Sequence, residues 1–237
     1  MSTNFQNPDR KGGGTPDKAA AGDPAAPLRL LLLDMDGTLT NVKSPWQFVH
    51  EQIGRWEQDG LPLLNRYLAG QLDYLDFCRL DVDTWTDAGL DLAQVEALLD
   101  RIEVPTVTVE FLKRAHGAGL KLAIISTGFL RCAHRILDAA GIPPEARLVA
   151  ANTLTESEGR LRPVIHVGDG GNNGKDVWSR RFLALHGVTS AQAGALGDGE
   201  TDRPMFNSVG TWWKVRGPED LAAKGELQAR LFGQARG

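Results

Sequence analysis

Two aspartates separated by a single residue follow the first apolar run of the sequence. Asp34 and Asp36 come directly after residues 28–33, and Gly37 frees the backbone to turn behind them. Because alternate side chains of an extended strand point to the same side, we expect the two carboxylates to share one pocket. Taken alone, the motif DMDGT also fits a calcium loop or a solvated turn. An EF-hand is excluded, because Pro45 stands where that loop needs a glutamate.

A hydroxyl-bearing tripeptide follows the second predicted strand. It consists of Ser126, Thr127 and Gly128. A hydroxyl and free backbone amides at the start of a helix favour an anion, so the tripeptide would suit a phosphate group. In isolation the same residues fit an ordinary strand-to-helix turn capped by Ser or Thr, and both interpretations stay open.

A single lysine, Lys175, lies in the glycine-rich segment DGGNNGKD. The segment is not a nucleotide-binding P-loop, because Asp169 replaces the first glycine and Asp176 replaces the Ser or Thr that would bind metal. A lone lysine after such a turn is commonly a solvated surface residue. Lys175 is interpreted as a site residue only because the other polar clusters accompany it in the sequence.

A second acidic pair, Asp198 and Asp202 in the motif GDGETD, follows another apolar strand. If these carboxylates converge with Asp34 and Asp36, two charges about 4 Å apart repel by about 4 kcal/mol at an effective dielectric constant of roughly 20. Lys175 and a divalent cation would offset this repulsion. Ligands that are all oxygen, with a substrate phosphate completing the shell, favour magnesium over zinc or copper. The clusters together predict a Mg²⁺ site for a small phosphorylated metabolite.

Apolar runs of strand length alternate with helical patterns along most of the chain. Strands are predicted at 28–33, 120–125, 148–150, 191–196 and 209–215, helices at 109–116, 131–140 and 176–186, and a hairpin turn at 156–162. This alternation predicts an α/β fold, a doubly wound Rossmann-like parallel sheet with a ligand crevice at the carboxyl ends of its strands. Every polar cluster described above falls at such an end, so the sheet would bring the clusters together.

The stretch between the first two strands has a different pattern. Apolar residues recur at helical spacing over residues 46–101, and the stretch is too long for an ordinary crossover. It therefore predicts an inserted all-helical cap above the crevice, which could act as a lid that excludes water. The predicted organisation is a disordered tail at 1–27, an α/β core at 28–41 and 105–237, and a helical cap at 42–104.

Composition narrows the classes of protein further. The chain is 42% hydrophobic and 24% charged, near the average of soluble proteins, and lacks an apolar run long enough for a bilayer. A net charge of -4 argues against a nucleic-acid partner. Cys78 and Cys132 lie far apart and are interpreted as buried thiols, not as a disulfide or a zinc site. Residues 1–27 lack the apolar segment of a signal peptide, which predicts a cytoplasmic location.

In their order along the chain, the four clusters resemble the motifs of the haloacid dehalogenase (HAD) superfamily of phosphohydrolases, specifically its phosphoserine phosphatase-like branch with a small helical cap. The resemblance implies Mg²⁺-dependent hydrolysis of a small phosphomonoester. Asp34 would attack phosphorus and become an aspartyl-phosphate, while Asp36 would act as general acid and base. The implied phosphate-binding residues are Ser126, Thr127, Gly128 and Lys175, and the implied magnesium ligands are Asp34, the Asp36 carbonyl and Asp198, with Asp202 in support.

Two positions depart from the phosphoserine phosphatase pattern. Those enzymes place a Glu after the first motif for the substrate ammonium and an Arg in the cap for its carboxylate. An ungapped comparison puts Lys43 and Asp81 at these positions, with Arg79 near the second and Glu51 as a candidate in a shifted register. Phosphoserine itself therefore stays an alternative substrate. A phosphotransferase or mutase on the same scaffold and a catalytically silent binding protein also stay open, whereas Asp36 argues against dehalogenation.

Overall fold

A computed structural model describes residues 26–233. Six strands form one sheet in the order β4-β3-β2-β1-β5-β6. The strands are β1 (Leu30–Leu33), β2 (Lys121–Phe129), β3 (Leu148–Ser157), β4 (Arg160–Val164), β5 (Ala193–Gly197) and β6 (Thr211–Lys214). All neighbouring strands run parallel except β3 and β4, which form an antiparallel hairpin at one edge. The predicted α/β fold is confirmed, with this antiparallel edge added to the parallel sheet.

Helices cover the sheet and fill the connections between its strands. They are α1 (Pro45–Gln52), α2 (Leu61–Leu68), α3 (Tyr74–Asp87), α4 (Leu92–Leu99), α5 (Thr106–Gly117), α6 (Leu130–Ala139), α7 (Lys175–Leu185), α8 (Arg203–Phe206), α9 (Asp220–Ala223) and α10 (Gly225–Phe232). A π-helical turn at Trp56–Gly60 leads into α2. None of the described helices is long and apolar enough to cross a membrane.

The central strand β1 explains how the polar clusters come to one edge. Its four leucines are fully buried, as expected for a strand that is covered on both faces. In the sheet register Leu33 lies level with Ile124 of β2 and Leu196 of β5. Because these strands are parallel, the residues that follow them emerge side by side at the same edge.

Two elements differ from the sequence prediction. Strand β2 runs to Phe129 instead of ending near residue 125, and its register against β3 shifts between Ile125 and Phe129. The hydroxyl-bearing tripeptide therefore belongs to the end of the strand, and α6 begins only after Phe129. Strand β3 is also longer than predicted, because it pairs with β4 through the tight turn at Glu158 and Gly159, both at positive φ. The predicted hairpin itself is confirmed.

Between β1 and α5, residues 34–105 form helices and turns with one isolated bridge. Trp46, Val49 and Trp85 from these helices are buried in the same apolar cluster as Leu31 and Leu33 of the sheet. The helical segment therefore packs directly on the sheet. Its treatment as a separate cap domain stays a prediction.

Two further sequence predictions concern the cysteines and the chain ends. Cys78 and Cys132 are both buried free thiols, as predicted. The tail at 1–27 lies outside the described residues apart from its last two positions, where the carbonyl of Ala26 accepts a hydrogen bond from Arg230.

Candidate active site

A buried lysine joins two of the acidic clusters. The Nζ atom of Lys175, at the start of α7, lies 2.6 Å from Oδ1 of Asp34 and 2.6 Å from Oδ1 of Asp202. The other oxygen of Asp34, Oδ2, accepts a hydrogen bond of 2.9 Å from the hydroxyl of Thr38. All four side chains are buried. The Asp34 carboxylate is thus fixed on both oxygens at the carboxyl end of β1.

Three carboxylates converge at this edge of the sheet. One oxygen each from Asp34, Asp198 and Asp202 lies within 4.8 Å of the others. On the exposed side, the ammonium group of Lys43 lies 2.6 Å from Oδ2 of Asp198. Such a set of oxygen donors fits a hard divalent cation. The three carboxylates carry more negative charge than the one buried lysine can neutralise.

The loop after β5 is built around Asp202. Its Oδ2 accepts hydrogen bonds from the backbone N–H groups of Asp198 (2.9 Å) and Gly199 (3.1 Å). A Cβ at Gly197 would lie 2.4 Å from the carboxyl group of Asp202, so the close approach of the loop requires glycine there. Asp202 therefore positions the backbone that presents Asp198, in addition to contacting Lys175.

The second aspartate of the first motif faces the end of β2. The hydroxyl of Ser126 donates to Oδ2 of Asp36 at 2.7 Å and accepts from the Gly128 N–H at 2.8 Å. A Cβ at Gly128 would clash with the same Asp36 oxygen, so a side chain there would require Asp36 to shift. The sequence predicted that the Gly128 N–H would be available to bind an anion, whereas in this structure it donates to the Ser126 hydroxyl. Asp36 and the tripeptide nevertheless lie in direct contact.

The protonation equilibria of the site follow from burial and from this pairing. Loss of solvent raises the pKa of Asp34 to about 6, although the Lys175 charge opposes the rise. Desolvation and the neighbouring Asp34 charge raise the pKa of Asp36 to about 8, and the Ser126 hydrogen bond only partly offsets this rise. Burial would lower the pKa of Lys175, but Asp34 and Asp202 more than reverse this effect and raise it. The two aspartates of the motif thus differ in their affinity for a proton.

The sequence did not predict the roles of two residues that support the site. The Nδ2 of buried Asn152 donates to the carbonyls of Thr127 (2.8 Å) and Val167 (3.1 Å), while its Oδ1 accepts from the backbone of residues 166 and 167. The indole of Trp46 donates to the same Thr127 carbonyl at 3.0 Å. Both contacts join segments distant in sequence, and a lone Asn or Trp in a strand or helix pattern carries no signal of such a role.

The residues aligned with substrate-recognition positions have other partners in this structure. Asp81 is buried and lies 2.8 Å from Nε2 of His50, while burial raises its pKa against the opposing effect of that histidine. Arg79 contacts Asp76 and Asp83 on the exposed face of α3. The Glu51 carboxylate accepts from the side-chain amide of Gln47. The sequence did not predict the His50–Asp81 pair.

The family model of haloacid dehalogenase-like hydrolases matches residues 31–207, which is most of the chain. The chain belongs to the haloacid dehalogenase-like hydrolase family. This match confirms the predicted family and the assignment as a hydrolase. The relatives described next confirm the predicted phosphoserine phosphatase-like branch.

Several relatives in this family are phosphoserine phosphatases. The Halobacterium salinarum enzyme is 26% identical over 184 residues, which cover 78% of this chain and 84% of that protein. The Methanocaldococcus jannaschii enzyme is 24% identical over 182 residues, covering 77% and 82%. A solved substrate-bound phosphoserine phosphatase complex superposes with a TM-score of 0.65 at 22% identity, covering 84% of this chain and 91% of the other. At that identity the structural likeness shows the fold.

Proposed function

We propose that this family member is a phosphoric monoester hydrolase that uses Mg²⁺ and passes through an aspartyl-phosphate on Asp34. The observation that carries the proposal is the Asp34 carboxylate held by Lys175 and Thr38, beside Asp198 and Asp202 and two residues from Asp36. The phosphoserine phosphatase relatives support a small phosphorylated metabolite as substrate. A cytoplasmic location also remains part of the proposal.

Asp34 is the proposed nucleophile because its carboxylate is fixed at both oxygens before substrate arrives. In the first step an Asp34 oxygen bonds to phosphorus, the ester P–O bond breaks, and Asp36 gives its proton to the departing alcohol oxygen. In the second step Asp36 takes a proton from water, which attacks phosphorus and breaks the bond to Asp34. Inorganic phosphate leaves and both aspartates return to their starting states.

The remaining polar groups of the site have distinct tasks. The phosphoryl oxygens would be bound by Ser126, the N–H of Gly128 and Lys175. Thr127 would contribute the backbone that connects Ser126 to Gly128. Binding of a phosphate would require the Gly128 N–H or the Ser126 hydroxyl to exchange its present partner. Once turned toward a bound phosphate, these donors would stabilise the negative charge that grows on its oxygens as the phosphoryl group is transferred.

The acidic cluster is the proposed metal site. Asp34, the Asp36 carbonyl and Asp198 would hold Mg²⁺, with Asp202 in support through the backbone of the loop after β5. The bound ion would supply positive charge that stabilises the phosphoryl oxygens. Magnesium is preferred because the donors are oxygens and a phosphate would complete its octahedral shell.

The decisive test is phosphate release from p-nitrophenyl phosphate and a panel of small phosphomonoesters. We expect activity with Mg²⁺, its loss in EDTA, and a drop of at least about 1,000-fold in Asp34→Asn, as for other removed nucleophiles. Asp76→Asn, which changes an exposed aspartate of α3, is the matched control and should keep parental activity. Undiminished release in Asp34→Asn would refute the aspartyl-phosphate, and release that requires an acceptor alcohol would favour a phosphotransferase.

A further inference from the structure

A small cavity of about 170 Å³ lies between the helical segment and the end of β2. Its walls combine aromatic and apolar side chains with a few uncharged polar groups and one acid. The lining residues are Ser44, Trp46, Gln47, Trp56, Leu64, Tyr74, Phe77, Cys78, Asp81 and Thr127. The inference drawn from this cavity rests on the proposed function, because it concerns the alcohol part of the substrate.

One wall of the cavity is next in sequence to the partner of Asp36, the group that would protonate the leaving alcohol. Thr127 lines the cavity, and its neighbour Ser126 donates to the carboxylate of Asp36. The ester oxygen must come within hydrogen-bond reach of Asp36 to receive its proton. The rest of the alcohol would therefore extend past Thr127 into this cavity. Trp46 fixes that wall through its bond to the Thr127 carbonyl.

No lysine or arginine is among the described residues that line the cavity. Its single acid, Asp81, is paired with Nε2 of His50. The Nδ1 atom of His50 has no hydrogen-bond partner within the described part of the structure, but this histidine is not among the residues that line the cavity. The side-chain amide of Gln47 donates to Glu51. A carboxylate placed here would meet aromatic rings and another carboxyl group without a cationic partner. An unpaired charge away from water is strongly disfavoured.

Three cations of the acidic site and of α3 are engaged elsewhere. Lys43 contacts Asp198 on the exposed side of the acidic cluster, and Lys175 is buried between Asp34 and Asp202. Arg79 contacts Asp76 and Asp83 on the exposed face of α3. A substrate carboxylate in the cavity would have none of these three as a lining group.

We propose that the substrate is the phosphate ester of a compact alcohol that carries no carboxylate. Pockets for drug-sized ligands measure about 300–1,000 Å³, so a volume of about 170 Å³ suits a smaller alcohol. The aromatic side chains of Trp56, Tyr74 and Phe77 in the lining suit an alkyl group, and aromatic rings also tolerate an ammonium group. The cavity thus discriminates against phosphoserine because of its carboxylate and not because of its size.

Phosphoethanolamine and phosphoserine provide the test, because they differ only in the carboxylate. We expect kcat/KM to be at least tenfold higher for phosphoethanolamine in the parent protein. Leu64→Arg places a cation in the cavity wall and should reduce this ratio at least fivefold. Leu68→Arg, one helical turn along α2 at a position that is 52% exposed, is the control and should leave the ratio unchanged.

Two readouts keep the test decisive. Hydrolysis of p-nitrophenyl phosphate shows that each variant is folded and that the proposed function holds, and Gln47→Arg serves as the second variant if Leu64→Arg is inactive. Calorimetric titration of Asp34→Asn with both esters reads the same preference without turnover. A parental preference for phosphoserine, or failure to bind phosphoethanolamine, overturns the inference while leaving the phosphatase intact. Failure with every ester, p-nitrophenyl phosphate included, strikes at the proposed function instead.

Discussion

At the residue scale, Lys175 decides whether the acidic site is stable. Its ammonium group is within 2.6 Å of two buried carboxylates, so each carboxylate has a partner in place of the water that it lost. A buried pair of this kind adds little net stability compared with apolar residues, yet removal of one partner is costly. The residue therefore supports the stability of the folded site as well as the proposed chemistry.

The prediction for Lys175→Met is a loss of about 3–5 kcal/mol in the free energy of unfolding at neutral pH, because two buried carboxylates lose their partner. An acid whose folded pKa exceeds its unfolded value is better protonated in the folded state, so stability falls as pH rises through that window. The unfolded value for Asp34 is 3.8 and its folded pKa is raised to about 6 even with Lys175 present. Loss of the Lys175 charge would raise the folded pKa of Asp34 further, so the parent and the variant should differ little at about pH 4–6 and the deficit should grow as the pH rises from about 6 to about 8.

Urea unfolding in EDTA across this pH range measures the effect. Lys113→Met, at an exposed position of α5, controls for the loss of a surface charge. A Lys175→Met deficit that stays constant with pH would show that lost packing, and not the unpaired acids, causes the destabilisation.

At the element scale, Asn152 connects three pieces of backbone that do not belong to one regular element. Its side chain lies on β3, donates to the end of β2 at Thr127, and makes three hydrogen bonds with residues 166 and 167. Segments without a regular ladder must satisfy their polar groups through side chains. Asn152 meets this need for the segment that leads from β4 toward Lys175.

We predict that Asn152→Ala lowers the free energy of unfolding by about 2–4 kcal/mol, since buried N–H and C=O groups lose their partner. The Thr127 carbonyl keeps its bond from Trp46, so the loss should centre on residues 166 and 167. Hydrogen exchange at the Val167 amide, with urea unfolding for the total, measures both parts. Asn65→Ala, at an exposed position of α2, should change stability by less than about 0.5 kcal/mol. Comparable losses in the two variants would contradict the connecting role.

At the scale of the whole molecule, periodicity in the sequence was sufficient for the architecture. The four leucines of β1 predicted a strand buried on both faces. The parallel arrangement of the strands then predicted that the polar residues after them meet at one edge of the sheet. Pairing between distant residues was not predictable, because His50 and Asp81 are separated by 31 positions and each alone is an ordinary helix residue. The extension of β2 through Ser126 also depends on β3, a partner that local propensity does not include.

The final prediction joins the acidic cluster to the stability of the whole fold. A ligand that binds only the folded state stabilises it by about 2.7 kcal/mol at roughly 100 times its Kd. For a chain of this size each kcal/mol raises Tm by about 2–4 °C, so saturating Mg²⁺ should raise Tm by about 5–10 °C. Asp198→Asn removes a carboxylate that lies within 4.8 Å of Asp34 and Asp202, and most of this rise should disappear.

Differential scanning calorimetry at constant ionic strength, with NaCl replacing MgCl₂, separates specific binding from screening of the surface. Asp138→Asn is the matched control, because Asp138 is 62% exposed and contacts Arg147 away from the cluster. It should keep the full response to Mg²⁺. An equal rise in Asp198→Asn and in the parent would place the ion elsewhere. Absence of a rise in the parent would mean that Lys175 and Lys43 already balance the acidic cluster, and the proposed metal dependence would then fail.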